Sequence, residues 1–211
     1  MRKTIAIIGE GITEKYYIES LKGISPFVIM PRELGIKASN LRSLEKNINL
    51  CIEKGFDEIY CLIDMDGKTS GKTQSEYLIL KNKFHSKSFS KKSKGLESKV
   101  VFIETERCTE LWFLYYFTKG TVTRKFNSYD ELEKELRKYR PNYEKTEKYF
   151  KSLVNINNNF ENENPKGSII KAYKNSELSL KSNSNDNRGY SYSEMHLLIK
   201  ALGIYSEDKV E

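Results

Sequence analysis

Short apolar runs alternate with amphipathic stretches through the first 120 residues of the chain. Ile5-Ala6-Ile7-Ile8 is an apolar run cut by Gly9, the pattern of a strand buried on both faces. Phe27-Val28-Ile29-Met30, between Pro26 and Pro31, is a second such run, Glu58 to Ile63 a third, and Val100 to Ile103 a fourth. Between the runs, Thr13 is placed to cap a helix carrying Tyr17, Ile18 and Leu21. Leu41, Leu44, Ile48, Cys51 and Ile52 recur at helical spacing, and Tyr77, Leu78 and Leu80 mark a helix after the third run. Leu111 to Phe117 reads as an apolar helix after the fourth. Strands separated by helices predict a parallel sheet covered on both faces. The Lys/Ser-rich stretch from Ser86 to Lys94 reads as a mobile linker.

Beyond Gly120 the pattern is helical only. Leu132 with Leu136, then Tyr149, Phe150 and Leu153, then Ile169 to Tyr173, and last Met195 to Leu202 mark short amphipathic helices. Asn-rich stretches at 155–164 and 182–187 read as loops between them. The expectation is an α/β domain over residues 1–120, with a parallel sheet of about four strands flanked by helices. A helical C-terminal extension over 121–211 packs on it.

Composition narrows the function classes. With 211 residues there is room for one ordinary domain and an extension, and 38% apolar residues exclude a disordered chain. Lys and Arg number 36 against 29 Asp and Glu, a net charge of +7 that permits an anionic partner such as nucleic acid without demanding one. Three cysteines (Cys51, Cys61, Cys108) without a CxxC spacing and only two histidines argue against a zinc site or a disulfide framework. The cysteines read as small buried hydrophobes in a reducing cytosol. The apolar run after Met1-Arg2-Lys3 is too short for a signal peptide, and no stretch approaches the roughly 20 residues of a membrane span. A cytoplasmic protein with no membrane partner is expected.

Ligands of open parallel sheets bind beyond the carboxyl ends of the strands. Acidic residues gather there in this sequence. Glu10 follows the first strand, with Glu14 one helical turn on; Asp64 and Asp66 follow the third; Glu110 follows the fourth, at the start of its helix. In extended chain, residues two apart point the same way, so Asp64 and Asp66 are expected to aim at one point. Clustered carboxylates repel unless a cation lies between them, and hard oxygen ligands suit Mg²⁺ or Mn²⁺. Taken singly, Glu14 also reads as a favourable charge in a first helical turn, and Asp66-Gly67 as turn chemistry.

Two further motifs bear on phosphate. Gly9-x-Gly11 lacks the third glycine of a dinucleotide fingerprint, since Glu14 stands in that place. Asp66-Gly67-Lys68-Thr69-Ser70-Gly71-Lys72-Thr73 is a P-loop with its first glycine replaced by Asp66, which makes an NTPase a minor alternative. Lys68 and Lys72 serve equally as phosphate contacts beside a metal site. Basic residues also group at Lys87, Lys91, Lys92, Lys94 and Lys99, and at Arg137, Lys138, Arg140, Lys145 and Lys148 among Tyr139, Tyr143 and Tyr149. The second group reads either as a surface that holds phosphates and stacks bases or as a solvated face whose tyrosines pack on the sheet. His196 reads as a core or edge residue rather than a catalyst, and Trp112 as core.

Gly9-Glu10-Gly11-x-Thr13-Glu14 after the first strand, with Asp64-x-Asp66 after the third, resembles the two hallmark motifs of a Toprim domain. The segments Cys108-Thr109-Glu110-Leu111-Trp112 and Pro141-Asn142-Tyr143-Glu144-Lys145, and the closing helix after Tyr192-Ser193, resemble the RloB-like family of restriction and abortive-infection phage-defence loci. Arg107 and Thr109 depart from the proline and the aromatic residue the resemblance leads one to expect, and the final segment lacks an Asn-Pro pair before Ser191. The resemblance implies a Toprim (Rossmann-like) fold and phosphoryl-transfer chemistry on DNA or RNA. It implies Mg²⁺ or Mn²⁺ on Glu10, Asp64 and Asp66, with Glu14 and Glu110 completing the metal shell and Glu10 as general acid/base. Lys68, Lys72, Arg107 and Lys145 are the candidate phosphate or nucleic-acid contacts. The resulting expectation is a metal-dependent nuclease, with another protein of the same defence locus as a further partner. The rival is a non-catalytic nucleic-acid-binding or toxin-partner module on the same frame.

Overall fold

A computed structural model of the chain describes residues 3–30, 40–91, 96–186 and 189–205. Among the described residues, five strands form one sheet, in the order β2-β1-β3-β5-β4. Strand β1 (Ile5–Ile8) lies between β2 (Val28–Met30) and β3 (Glu58–Asp64), parallel to both, and β3 pairs in parallel with β5 (Leu96–Thr105). The register sets Ile8 beside Cys61 and Asp64 beside Thr105, so the chain leaves β1, β3 and β5 toward the same edge.

β4 (Lys87–Lys91) departs from expectation. The Ser86–Lys94 stretch, expected to be a linker, supplies this edge strand, antiparallel to β5 with Ser88 opposite Lys99. Its alternation of Lys and Ser around Phe89 is that of an edge strand with one face wet, and lysines on such an edge discourage pairing with another chain. Residues 92–95 lie outside the described residues. The expected fourth strand is accordingly the fifth and is extended at both ends.

Helices cover both faces. α1 (Ile12–Leu21) lies on one face of the sheet, and α2 (Leu41–Lys54) and α3 (Gly71–Phe84) on the other. Alternation along β1 sorts the contacts: Ile5 and Ile7 face the α1 side, Ala6 and Ile8 the α2–α3 side. The crossovers from β1 to β2 and from β2 to β3 therefore use opposite faces, and the order reverses between β1 and β3. Such a switch point opens a crevice at the carboxyl ends of those strands.

On the α1 side, α4 (Glu110–Tyr115) is buried along its whole length and is surrounded by the remaining helices. These are α5 (Tyr129–Leu136), α6 (Glu147–Ser152), α7 (Ile156–Asn162), α8 (Ile169–Asp186) and α9 (Met195–Ala201). Residues before and after position 120 share one apolar cluster: Tyr17, Trp112 and Phe113 pack with Phe150, Phe160, Tyr173 and Leu198. The Asn-rich stretches differ from the loops expected of them. Asn155 caps α7 by accepting a hydrogen bond from Asn158 N, and α8 runs on through residues 182–186. Asparagine is a poor interior helix former but a strong N-cap, which is why composition alone hides this helix. The segment Tyr192–Glu194 then continues the sheet edge beyond β4. Thr105 bridges Ser193, Glu106 N donates to Tyr192 O, and Glu194 N donates to Glu104 O.

Candidate functional site

Glu10, Glu14, Asp64 and Glu110 come from the three chain exits at the crevice. Asp64 is the last residue of β3, Glu10 lies two residues past β1, Glu14 is in the first turn of α1, and Glu110 opens α4. Thr109 ties them together. Its main-chain N–H donates to Asp64 Oδ1 at 3.0 Å, and its hydroxyl lies 2.6 Å from Glu14 Oε1 and 3.2 Å from Asp64 Oδ1. Thr13, expected as a helix cap, is instead inside the first turn, because Gly11 is the N-cap residue. The Thr13 hydroxyl donates to Glu110 Oε1 at 3.1 Å. Gly11 makes room for this packing, since a Cβ there would stand 3.0 Å from Glu14 Oε2.

Two lysines face this cluster. Lys145 pairs with Glu110 Oε1 at 3.1 Å, and Tyr143 OH donates to the same oxygen at 2.7 Å. Lys68 Nζ donates to Glu10 Oε2 at 2.8 Å and to the main-chain carbonyl of Asp64 at 2.6 Å. Glu110 is fully buried and Glu14 nearly so.

The electrostatics follow from that geometry. Burial pushes the Asp64 carboxyl well above the usual range, reinforced by Glu14, Glu110 and Glu10 and opposed by Lys145. Burial raises Glu14 as well, against the Thr109 hydroxyl, with Glu110 adding to the rise. Glu10 is raised by burial and drawn down by Lys68. Burial acts on Glu110 too, but the Lys145 charge and bonds from Cys108, Tyr143 and Lys145 outweigh it and hold its carboxyl below the usual value. Like charges desolvated side by side are costly to a fold and are characteristic of functional sites.

The other residues singled out in the sequence fall elsewhere. Asp66 does not join Asp64. β3 ends at Asp64 and the chain turns through Gly67 (φ +70°), with Lys68 N donating to Met65 O, so the two-residue alternation stops. The Asp66 carboxylate is 60% exposed and pairs with Arg107 Nη1 at 3.0 Å. Lys72 lies in the first turn of α3, 89% exposed, opposite Glu76. Arg107 also donates from Nε to Phe126 O at 2.7 Å. It adopts φ +66°, a left-handed conformation closed to proline, which accounts physically for a non-proline residue there.

In the second basic group, Arg140 is buried. It donates to the carbonyls of Asn159, Phe160 and Glu163, closing the C-terminal end of α7. Tyr139 stacks on Phe117, and Tyr143 and Tyr149 pack edge to face with Phe150. These tyrosines are packing residues. Tyr143 is fully buried, whereas Tyr139 and Tyr149 keep part of their surface exposed. Trp112 and His196 are core, as expected. Of the first group, Lys87 and Lys99 lie on the β4–β5 hairpin, and Lys92 and Lys94 fall outside the described residues.

Sequence reasoning missed Thr109, Thr13 and Tyr143 as parts of the site. The available signal was positional: each lies within three residues of a recognised acid or of Lys145, and Thr109 directly precedes Glu110.

Carboxylate oxygens are the donors that Mg²⁺ or Mn²⁺ takes, so the cluster suits such an ion by type. The spacing is another matter. Among the described residues, no three His, Cys, Asp or Glu side chains are gathered closely enough to hold one metal ion. Lys68 and Lys145 supply the positive charge within the cluster.

No helix among the described residues is long and apolar enough to cross a membrane. Neither the curated proteins nor the solved structures include a significant match to the chain. The family model for RloB-like protein matches residues 5–202, a span that takes in every strand and helix described above, and the chain belongs to the RloB-like family.

Proposed function

We propose that this protein is a divalent-cation-dependent nuclease of a bacterial phage-defence or restriction-associated system, built on a Toprim-type sheet. The observation that carries the reading is the carboxylate cluster of part-buried Asp64 with buried Glu14 and Glu110, laced by Thr109 and Thr13 at the carboxyl ends of β1, β3 and β5. A scaffold that needed only stability would gain by replacing such charges with apolar groups. Glu10 stands nearest solvent among the four and is raised by burial, which suits a group that carries and releases a proton. Asp64, Glu10 and Glu14, with Glu110 behind them, are the residues that would hold Mg²⁺ or Mn²⁺. Such an ion polarises phosphoryl oxygens and balances their charge. Arg107, tied to Asp66 and partly exposed, would be the cation to meet a phosphate backbone in this reading.

The test is cleavage of plasmid, single-stranded DNA and tRNA with Mg²⁺ or Mn²⁺, with EDTA, and with Asp64→Asn alongside. Cutting that needs the cation and is lost in the variant is expected, and its substrate names DNA or RNA. One observation favours the rival, a non-catalytic nucleic-acid-binding or toxin-partner module: Lys68 and Lys145 already pair with two of the four acids, Glu10 and Glu110. That module shows no cutting. Its binding falls steeply with salt and survives Asp64→Asn.

A further inference from the structure

The ammonium of Lys68 is held as a metal ion would be. It sits between a carboxylate oxygen of Glu10 at 2.8 Å and the main-chain oxygen of Asp64 at 2.6 Å, joining the ends of β1 and β3 across the crevice. Both groups are largely shielded, with side-chain exposures of 12% for Lys68 and 15% for Glu10. The loop is built to return this lysine to the strand it follows. Gly67 takes a left-handed conformation, Lys68 N closes a turn onto Met65 O, and the side chain reaches back four residues to Asp64. On the far side, Lys145 fixes Glu110 in the same manner. With both lysines in place, Glu10 and Glu110 are each held by their own ammonium group while Thr109 holds Asp64 and Glu14, and among the described residues no three acids converge closely enough for one ion.

We propose that Lys68 is a resident counter-cation that competes with the divalent ion for Glu10, so that the ion enters only when the lysine swings away. This rests on the cation-dependent reading above and adds the device that controls occupancy. Lys68 is suited to leave: it stands in a loop between strand and helix, on a long flexible stem, whereas Lys145 is braced against the Tyr129 ring. A site blocked part of the time binds its ligand more weakly in proportion to the fraction blocked.

The experiment is a calorimetric Mn²⁺ titration of the full chain, with free Mn²⁺ followed in parallel by electron paramagnetic resonance. The proteins are wild type, Lys68→Met, Lys68→Gln and Lys68→Met/Asp64→Asn. Lys68→Gln keeps a donor for the Asp64 carbonyl while removing the charge, which guards against a loop that collapses in Lys68→Met. Both single variants are expected to bind Mn²⁺ about tenfold more tightly than wild type, as for a site blocked about 90% of the time. The double variant is expected to lose that binding. In EDTA the single variants should melt below wild type, and saturating Mn²⁺ should raise their Tm by more than it raises that of wild type. Equal or weaker binding in both single variants, with wild type binding normally, overturns the role of Lys68 and leaves the nuclease reading standing. Absence of Mn²⁺ binding in every protein overturns both.

Discussion

Lys145 and Glu110 form an ion pair at 3.1 Å that joins the loop before α6 to the first residue of α4. The carboxylate is fully buried, whereas the lysine side chain is 38% exposed. The partners therefore differ in what they lose when parted. An exposed ammonium regains water, but the carboxylate has nowhere to go. Burial lowers the Lys145 pKa and the Glu110 charge more than restores it, so the lysine stays charged. The pair fastens the helical part of the chain to the acid cluster.

Replacing Lys145 with Met should accordingly destabilise the protein. Leaving a buried charge unpaired costs about 3–5 kcal/mol when both partners are buried, and the partial exposure of Lys145 lowers the expectation to about 2 kcal/mol. Tyr143→Phe, which removes one neutral donor to the same oxygen, should cost about 1 kcal/mol. Urea denaturation of the three proteins checks both values. A Lys145→Met protein as stable as wild type would show that Glu110 takes up a proton instead.

Asp64→Asn is expected to have the opposite effect in EDTA at neutral pH. Asn retains an acceptor oxygen for the Thr109 N–H and hydroxyl while removing a charge that burial, Glu14, Glu110 and Glu10 all disfavour. A gain of about 1 kcal/mol is a rise of about 2–4 °C in Tm for a chain of this size. Differential scanning calorimetry reads it, and the same variant should have lost cleavage. A residue whose replacement stabilises the fold and abolishes activity is held there for function.

Much of this arrangement was legible in the chain, and the failures have physical causes. Apolar runs at residues 5–8 and 58–63 mark β1 and β3 because central parallel strands are buried on both faces. That Glu10, Glu14, Asp64 and Glu110 lie at one edge of the sheet was legible because each lies at or after the end of a parallel strand. β4 was hidden, since an edge strand of Lys and Ser carries no apolar run. The expectation that Asp66 aims at the same point as Asp64 failed because the alternation rule assumes an extended chain, and the chain turns at Gly67. Arg140 was read as surface on its charge, but a guanidinium satisfied by main-chain carbonyls and stacked on Phe117 and Phe160 is at home in a core. Helix α7 carries three consecutive asparagines after its cap, a run that propensity assigns to loop and packing of Ile156 and Phe160 overrides.

His196 supplies a pH dependence. Its ring is buried between α8 and α9, with Nδ1 2.8 Å from Ser176 Oγ, whose hydroxyl also donates to Ser193 O. Burial is the main cause that brings its pKa down to about 4. Between that value and the ordinary 6.5 the unfolded chain binds a proton that the folded chain does not. Stability from this group is therefore full above about pH 6.5 and lost as the pH falls toward 4, by about 3 kcal/mol if the whole shift is realised. The carboxylates titrate in the same region, so the informative quantity is a difference. His196→Phe should lose less stability than wild type between pH 7 and pH 4.5, measured by guanidinium denaturation at each pH. Parallel losses would show that the ring is protonated in the folded protein.

Arg107 separates backbone strain from side-chain bonding. Its φ of +66° costs an ordinary residue about 1 kcal/mol and glycine almost nothing. The side chain offsets that cost through its bonds to Asp66 and to the Phe126 carbonyl. Arg107→Ala keeps the strain and loses the bonds, so it should be the least stable of the non-proline forms, about 1–2 kcal/mol below wild type. Arg107→Gly loses the same bonds but relieves the strain, and should recover about 1 kcal/mol of the difference, read as a shift in urea midpoint at constant slope. Arg107→Pro cannot adopt the conformation and should cost about 3 kcal/mol or more by displacing Thr109 from Asp64 and Glu14. If Gly and Ala proved equally stable, the left-handed turn would not be the native conformation at residue 107.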